Sequence, residues 1–217
     1  MAIFRLYKGM SDYLPIFPLK LVAFPGERLN LHIFEPRYKQ LVHDIKEQGG
    51  RFGIGIYLDR LMSFGTEVQL LEISHTYEDG RMDIKTIGRR VFDLITFDNP
   101  AHGKLYAAGK VHYRVNDPRV PKSVYAEYLL YLRELFRLMD QNLEVKSLEV
   151  DSFTFSHKIG LKIEEEYELL QLDGEADRLR YLIAYLTRVI PVLRDIEQAK
   201  KKIKMNGHFK NLDPLNF

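Results

Sequence analysis

Near Asp117 the spacing of apolar residues changes from two to between three and four, which predicts strands before that point and helices after it. Phe52, Ile54, Ile56 and Leu58 alternate with Gly53, Gly55 and Tyr57. One face of this strand is therefore apolar and much of the other has no side chain, so the sheet must bend there or meet a close neighbour. Asp79-Gly80, between residues 66–77 and 81–97, offers positive φ at low cost and predicts a hairpin with long arms. In the first arm apolar positions run Val68, Leu70, then Leu71, Ile73. This one-residue slip predicts a β-bulge and the curvature of a barrel. Leu105, Ala107, Gly109, Val111, Tyr113 and Val115 give the last alternation before Asp117-Pro118 and Pro121, which mark a boundary.

Two stretches break the strand pattern. Residues 14–19 are apolar but contain Pro15 and Pro18, which predicts an edge or an irregular barrel strand. After Phe24-Pro25-Gly26 and a strand over residues 29–34, Pro36 can open a helix carrying Tyr38, Leu41, Val42 and Ile45 on one face, with Gly49-Gly50 as its stop. Beyond the boundary, Tyr125, Tyr128, Leu129, Leu132, Leu135, Phe136 and Met139 form a helical stripe, and a shorter helical region covers residues 152–172. In the longest helix Leu179, Leu186 and Leu193 recur every seven residues, a bundle pattern in which Pro191 predicts a bend. The expected organisation is α+β: a β-rich subdomain over residues 1–117, a helical subdomain over 118–205, and a flexible tail over 206–217.

Composition narrows the chemistry. The 217 residues contain no cysteine, so disulfides, thiolate metal sites and Cys nucleophiles are excluded and a reducing, cytoplasmic setting is compatible. Residues 1–10 lack the continuous apolar core of a secretory signal, and no run approaches the 20 or so apolar residues of a membrane-spanning helix. With 32 basic and 30 acidic residues, bulk charge does not point to a nucleic acid. The seven His show no metal-ligand spacing, and neither a metal nor another cofactor is expected. Gly103-Lys104 and Gly109-Lys110 are followed by Leu105 and Val111 and so lack the pattern of a phosphate-binding loop.

Leu14-Pro15-Ile16-Phe17-Pro18-Leu19, Phe24-Pro25-Gly26 and His32-Ile33-Phe34-Glu35-Pro36-Arg37-Tyr38 resemble the opening signature of the Lon protease N-terminal, substrate-binding domain family. Phe52-Gly53-Ile54, Gly65-Thr66, Asp79-Gly80-Arg81, Gly88 with Phe92, and Asp177-Arg178-Leu179 follow in the family's order. The resemblance implies a PUA-like β pseudo-barrel with one short inserted helix, followed by a helical bundle with a long last helix. It also implies a non-catalytic module that recognises polypeptide clients, working alone or as an adaptor for a protease or chaperone machine.

Each residue that could serve such a role also has a purely structural use. Glu35, Arg37 and Tyr38 could grip a peptide, or could lock a strand-to-helix corner by ion pairing. Phe24 and Phe34 could anchor an apolar client, or, in the case of Phe24, simply build a turn. These five are the candidate peptide-binding residues, in a groove expected between the barrel around residues 24–38 and the helical region. The alternative is an RNA-binding barrel with a basic face of Arg89, Arg90, Lys110 and Arg114. Glu164-Glu165-Glu166 reads as a solvated helix start. Lys200-Lys201-Lys202 with Lys204 suits the negative end of a helix or a nucleic-acid or membrane patch.

Overall fold

The computed structural model describes residues 11–141 and 150–208. Six strands come first: β1 (Ser11–Leu19), β2 (Arg28–Ile33), β3 (Arg51–Tyr57), β4 (Leu61–Thr76), β5 (Met82–Leu94) and β6 (Ala107–Tyr113), with helix α1 (Pro36–Glu47) between β2 and β3. Five of them form a ring in the order β5-β4-β3-β1-β6. β1 runs parallel to β3, the other ring pairings are antiparallel, and a short ladder of Phe92 with Tyr113, Asp93 with His112 and Leu94 with Val111 closes β5 onto β6. β2 stays outside the ring and, among the described residues, pairs with β5 alone. The mixed direction and the short closure make this a pseudo-barrel.

The ring curves where the apolar phase breaks. The register of β4 against β5 slips between Leu70 and Glu72, at the slip visible in the sequence, because an extra residue on one strand bends it and increases its twist. Two further slips, at Glu67/Val68 and Ile73/His75, have no counterpart in that pattern. The hairpin turns at Gly80, with φ +77°, and Tyr77 N–H donates to Arg81 O at 2.9 Å. Inside the ring, a Cβ on Gly53 would lie 2.8 Å from Ile16 Cδ1 and 2.9 Å from the Phe92 ring. This is the close approach that the glycines of β3 allow. Ile16 and Phe92 pack there with Leu14 and Val111. A larger cluster joins Phe17, Ile33, Phe52, Ile54, Val68 and Ile84 to the apolar face of α1, namely Tyr38, Leu41, Val42 and Ile45.

Of the two expected forms, β1 takes that of an irregular barrel strand, with neighbours on both sides. Its ladder to β6 spans Ser11 to Ile16 and its ladder to β3 spans Ile16 to Leu19, so the two overlap only at Ile16. Elsewhere along β1 one side carries no ladder, which is how the strand accommodates Pro15 and Pro18, neither of which has an N–H to donate.

One polar cluster draws a side chain from every ring strand. Glu67 on β4, 2% exposed, accepts hydrogen bonds from Arg90 on β5 at 2.9 Å, from Arg51 on β3 at 3.4 Å and from the Tyr113 hydroxyl on β6. Asp12 on β1 lies 3.3 Å from Arg51. Three charge-assisted donors offset the desolvation of the buried carboxylate. Burial, followed by the bond to Glu67, pushes the Tyr113 hydroxyl well above its ordinary pKa.

The chain divides into two compact units. The first contains the described residues up to Asp117 together with Phe153–Asp173, and the second contains Pro118–Ser152 and the described residues from Gly174 onward. This differs from a single helical subdomain over residues 118–205. Residues 153–173 carry a 3-10 turn (Ser156–Lys158) and helix α3 (Ile163–Leu170), and several of their side chains bind residues of the strands. Phe153 stacks on Phe24 at 4.9 Å, Phe64 N–H donates to Tyr167 Oη at 3.3 Å, and Arg114 binds both oxygens of Asp173 at 2.8 and 2.5 Å.

In the second unit α2 (Lys122–Leu138) packs on α4 (Glu175–His208). Tyr128, Leu132, Leu135 and Phe136 are buried on α2, as are Leu179, Leu182, Leu186 and Ile190 on α4. Arg178, 3% exposed, donates to Glu175 at 2.7 Å and to Ser152 Oγ at 2.9 Å. α4 continues through Pro191 to His208, so residues 206–208 are helical rather than tail, while Leu212, Leu215 and Phe217 lie outside the described residues. Beyond Pro191 the apolar Val192, Ile196 and Ile203 are exposed. No helix among the described residues is long and apolar enough to cross a membrane.

Candidate functional site

The corner where β2 passes into α1 positions most of the candidate residues. Glu35 precedes the helix in an extended conformation with Pro36 at its first turn. Glu35 Oε2 accepts a hydrogen bond from Arg37 Nε at 2.9 Å, so this pair locks the corner while keeping its outer face polar. Tyr38, one residue on, turns inward, is 5% exposed and stacks on Phe17 of β1 at 3.8 Å between ring centroids. The Arg37 guanidinium covers the Tyr38 ring at 4.6 Å, a cation–π contact. Burial raises the Tyr38 hydroxyl above its ordinary pKa, so it remains a neutral donor.

These residues line a groove of about 240 Å³. Its walls are Phe17, Pro18 and Leu19 from the end of β1, Leu31 and His32 from β2, then Phe34, Glu35, Arg37 and Tyr38 from the corner and α1. Phe34 is 60% exposed at this groove. An apolar floor with a few fixed polar groups is the usual composition of a binding depression. The groove is built from β1, β2 and the start of α1.

Next to the groove the β2–β5 surface carries an aromatic and imidazole cluster. His32 Nδ1 lies 2.6 Å from Asp83 Oδ1, and the Tyr77 hydroxyl donates to Asp83 Oδ2 at 2.8 Å. These two bonds, that from His32 foremost, hold the Asp83 carboxyl below its ordinary pKa. Phe34 stacks near His32 at 6.1 Å, and Tyr77 meets His32 edge-on at 5.7 Å and His75 at 4.3 Å.

Four of the five sequence candidates, Phe34, Glu35, Arg37 and Tyr38, thus come together in one groove. The fifth does not: Phe24 is fully buried, held between Phe153 and His157 at 4.9 Å from each, and Gly26 with φ +83° turns the chain behind it. An exposed-anchor role for Phe24 is therefore corrected to a core one. Sequence reasoning missed Phe17, Leu31 and His32. Their only signal was proximity to the signature residues, because the pairing that carries β1 and β2 to the same groove is not local.

The proposed basic face is partly spent. Arg90 is engaged by Glu67 and lies 3.6 Å over the Tyr113 ring, and Arg114 is held by Asp173 and by Asp93 at 3.4 Å. Arg89 and Lys110 are exposed.

Comparison with known proteins adds the family. A family model described as the ATP-dependent protease La (LON) substrate-binding domain matches residues 13–188. A crystal structure of a Lon N-terminal domain protein from Xanthomonas campestris is similar at TM-score 0.64 and 27% identity, covering 80% of this chain and 98% of that one. The N-terminal domain of a Mycobacterium avium complex Lon protease is similar in fold at TM-score 0.61 and 16% identity, covering 81% of this chain and 98% of that one. No curated protein matches the chain.

Proposed function

Since this chain belongs to the LON substrate-binding domain family, we propose that it is a non-catalytic polypeptide-recognition module whose clients enter the groove between β1, β2 and α1. The observation that carries this reading is the exposed Phe34 beside a floor of Phe17, Leu19, Leu31 and Tyr38, an aromatic anchor at the margin of an apolar slot. In this reading it works in the cytoplasm, as an adaptor that delivers unfolded or apolar-rich segments to a separate protease or chaperone machine. RNA binding is the weaker alternative, because two of the four cations of the supposed basic face are neutralised by carboxylates.

Titration with a labelled apolar peptide and with single-stranded RNA, each at low and high salt, separates the two readings. Peptide binding of micromolar order, about −8 kcal/mol, is expected. Phe34→Ala should weaken it about tenfold while leaving the melting temperature unchanged, since the side chain stands mostly in solvent. Tight RNA binding that falls steeply with salt, with no peptide signal, would overturn the proposal.

A further inference from the structure

Building on the peptide-recognition reading, we infer that the client is captured as an added β-strand on the open edge of β2, and that the preferred segment carries a bulky apolar residue flanked by acidic ones. Two strand edges without a ladder border the groove. Among the described residues β2 is bonded to β5 alone, and the last part of β1, from Phe17 to Leu19, is bonded to β3 alone. Both contribute to the same 240 Å³ depression.

The two edges are not equivalent. Exposed edges are commonly blunted by proline and lysine, and the β1 edge has Pro18 with Lys20 just after it, so it is poor in donors. β2 contains no proline. On its β5 side, Gly88 N–H donates to Glu27 O at 2.8 Å and Thr86 Oγ1 donates to Leu29 O at 3.2 Å. Backbone groups alternate sides along a strand, so those of Asn30 and His32 point away from β5. His32 is also a lining residue, which sets this open row of donors and acceptors against the groove. An extended chain laid along it would take main-chain hydrogen bonds from β2 and send alternate side chains toward Phe17, Leu31 and Phe34.

Charge selects the flanks. Of the acidic groups here, Glu35 is paired with Arg37, and Asp83 is hydrogen-bonded to His32 and to the Tyr77 hydroxyl. Lys20, following the β1 end, and Arg28, opening β2, are exposed and have no acidic partner among the described residues. These two cations suit an acidic segment of a separate polypeptide better than a second copy of this edge, which would bring the same cations with it.

The test uses the full chain and a labelled eight-residue peptide alternating valine and threonine, with a central phenylalanine and a glutamate at each end. Three companions carry N-methyl groups on odd residues, N-methyl groups on even residues, or lysine in place of each glutamate. Strand addition predicts that one methylation frame lowers affinity tenfold or more, that the other stays within twofold, and that the lysine peptide binds several-fold more weakly. Equal effects from both frames, or none from either, with Phe34→Ala still reducing binding, would overturn strand addition and leave the groove reading standing. Tighter binding of the lysine peptide would overturn the charge preference. Absence of binding by the parent peptide, with the apolar peptide of the groove test still bound, would overturn strand addition alone, and self-association that competes with the peptide as protein concentration rises would overturn a separate polypeptide as the occupant.

Discussion

His157 lies between two carboxylates, 2.6 Å from Glu166 and 3.2 Å from Glu27, with the Phe24 ring 4.9 Å away. Glu27 also accepts the Phe24 N–H at 2.9 Å, so one charged cluster fastens residues 153–173 to the turn after β1. The bond to Glu166, then that to Glu27, raises the imidazole pKa from its ordinary 6.5 to about 10. A raised folded-state pKa contributes stability that is complete below about pH 6.5 and is lost as pH climbs through 10. The melting temperature should therefore fall between pH 7 and pH 10.5, and fall less in His157→Gln; identical profiles for the two proteins would contradict a stabilising ion pair. With the side chain 37% exposed, solvent screening reduces the size of the effect. Little of this was legible beforehand, since the spacing of the seven His was informative only for metal ligands and showed none. The actual partners of His157 are 9 and 130 residues away.

At the level of elements, the apolar period carried strands and helices well, but neighbours only where a turn imposed them. The β4–β5 hairpin and the slip at Leu70-Leu71 were visible because Asp79-Gly80 fixes a local geometry and a phase change shows in a single strand. The double-sided pairing of β1 was not, because it depends on β3 and β6, up to about a hundred residues away. Gly53 tests the packing that this pairing creates. A methyl group there would meet Ile16 at 2.8 Å and Phe92 at 2.9 Å, both buried and unable to withdraw into solvent. Gly53→Ala should destabilise the protein by about 1–3 kcal/mol through overpacking, read as a lower urea midpoint at unchanged slope. A midpoint equal to that of the parent would mean the ring tolerates an extra carbon that its geometry says it cannot.

For the molecule as a whole, the proposed reading is binding without turnover. Lys104 is engaged by Asp44 at 2.8 Å, and Gly109 sits within β6, where a Cβ would come 2.0 Å from Thr96 O, so neither Gly-Lys pair forms a phosphate-cradling loop. Purified protein should neither hydrolyse ATP nor cleave casein, and activity that stays with it through successive purification steps would refute this. Periodicity, glycine and proline punctuation, and the signature residues 14–38 were enough to read the α+β class, the inserted helix, the hairpin and the family resemblance, because each rests on interactions within a few residues. The closure of the ring by β5 and β6, the return of residues 153–173 to the strand unit, the burial of Phe24 and the meeting of β1, β2 and α1 around one groove required the folded chain. They are settled by long-range pairing and side-chain packing, in which residues far apart in sequence compete for the same buried space, and a local pattern carries no information about which of them will occupy it.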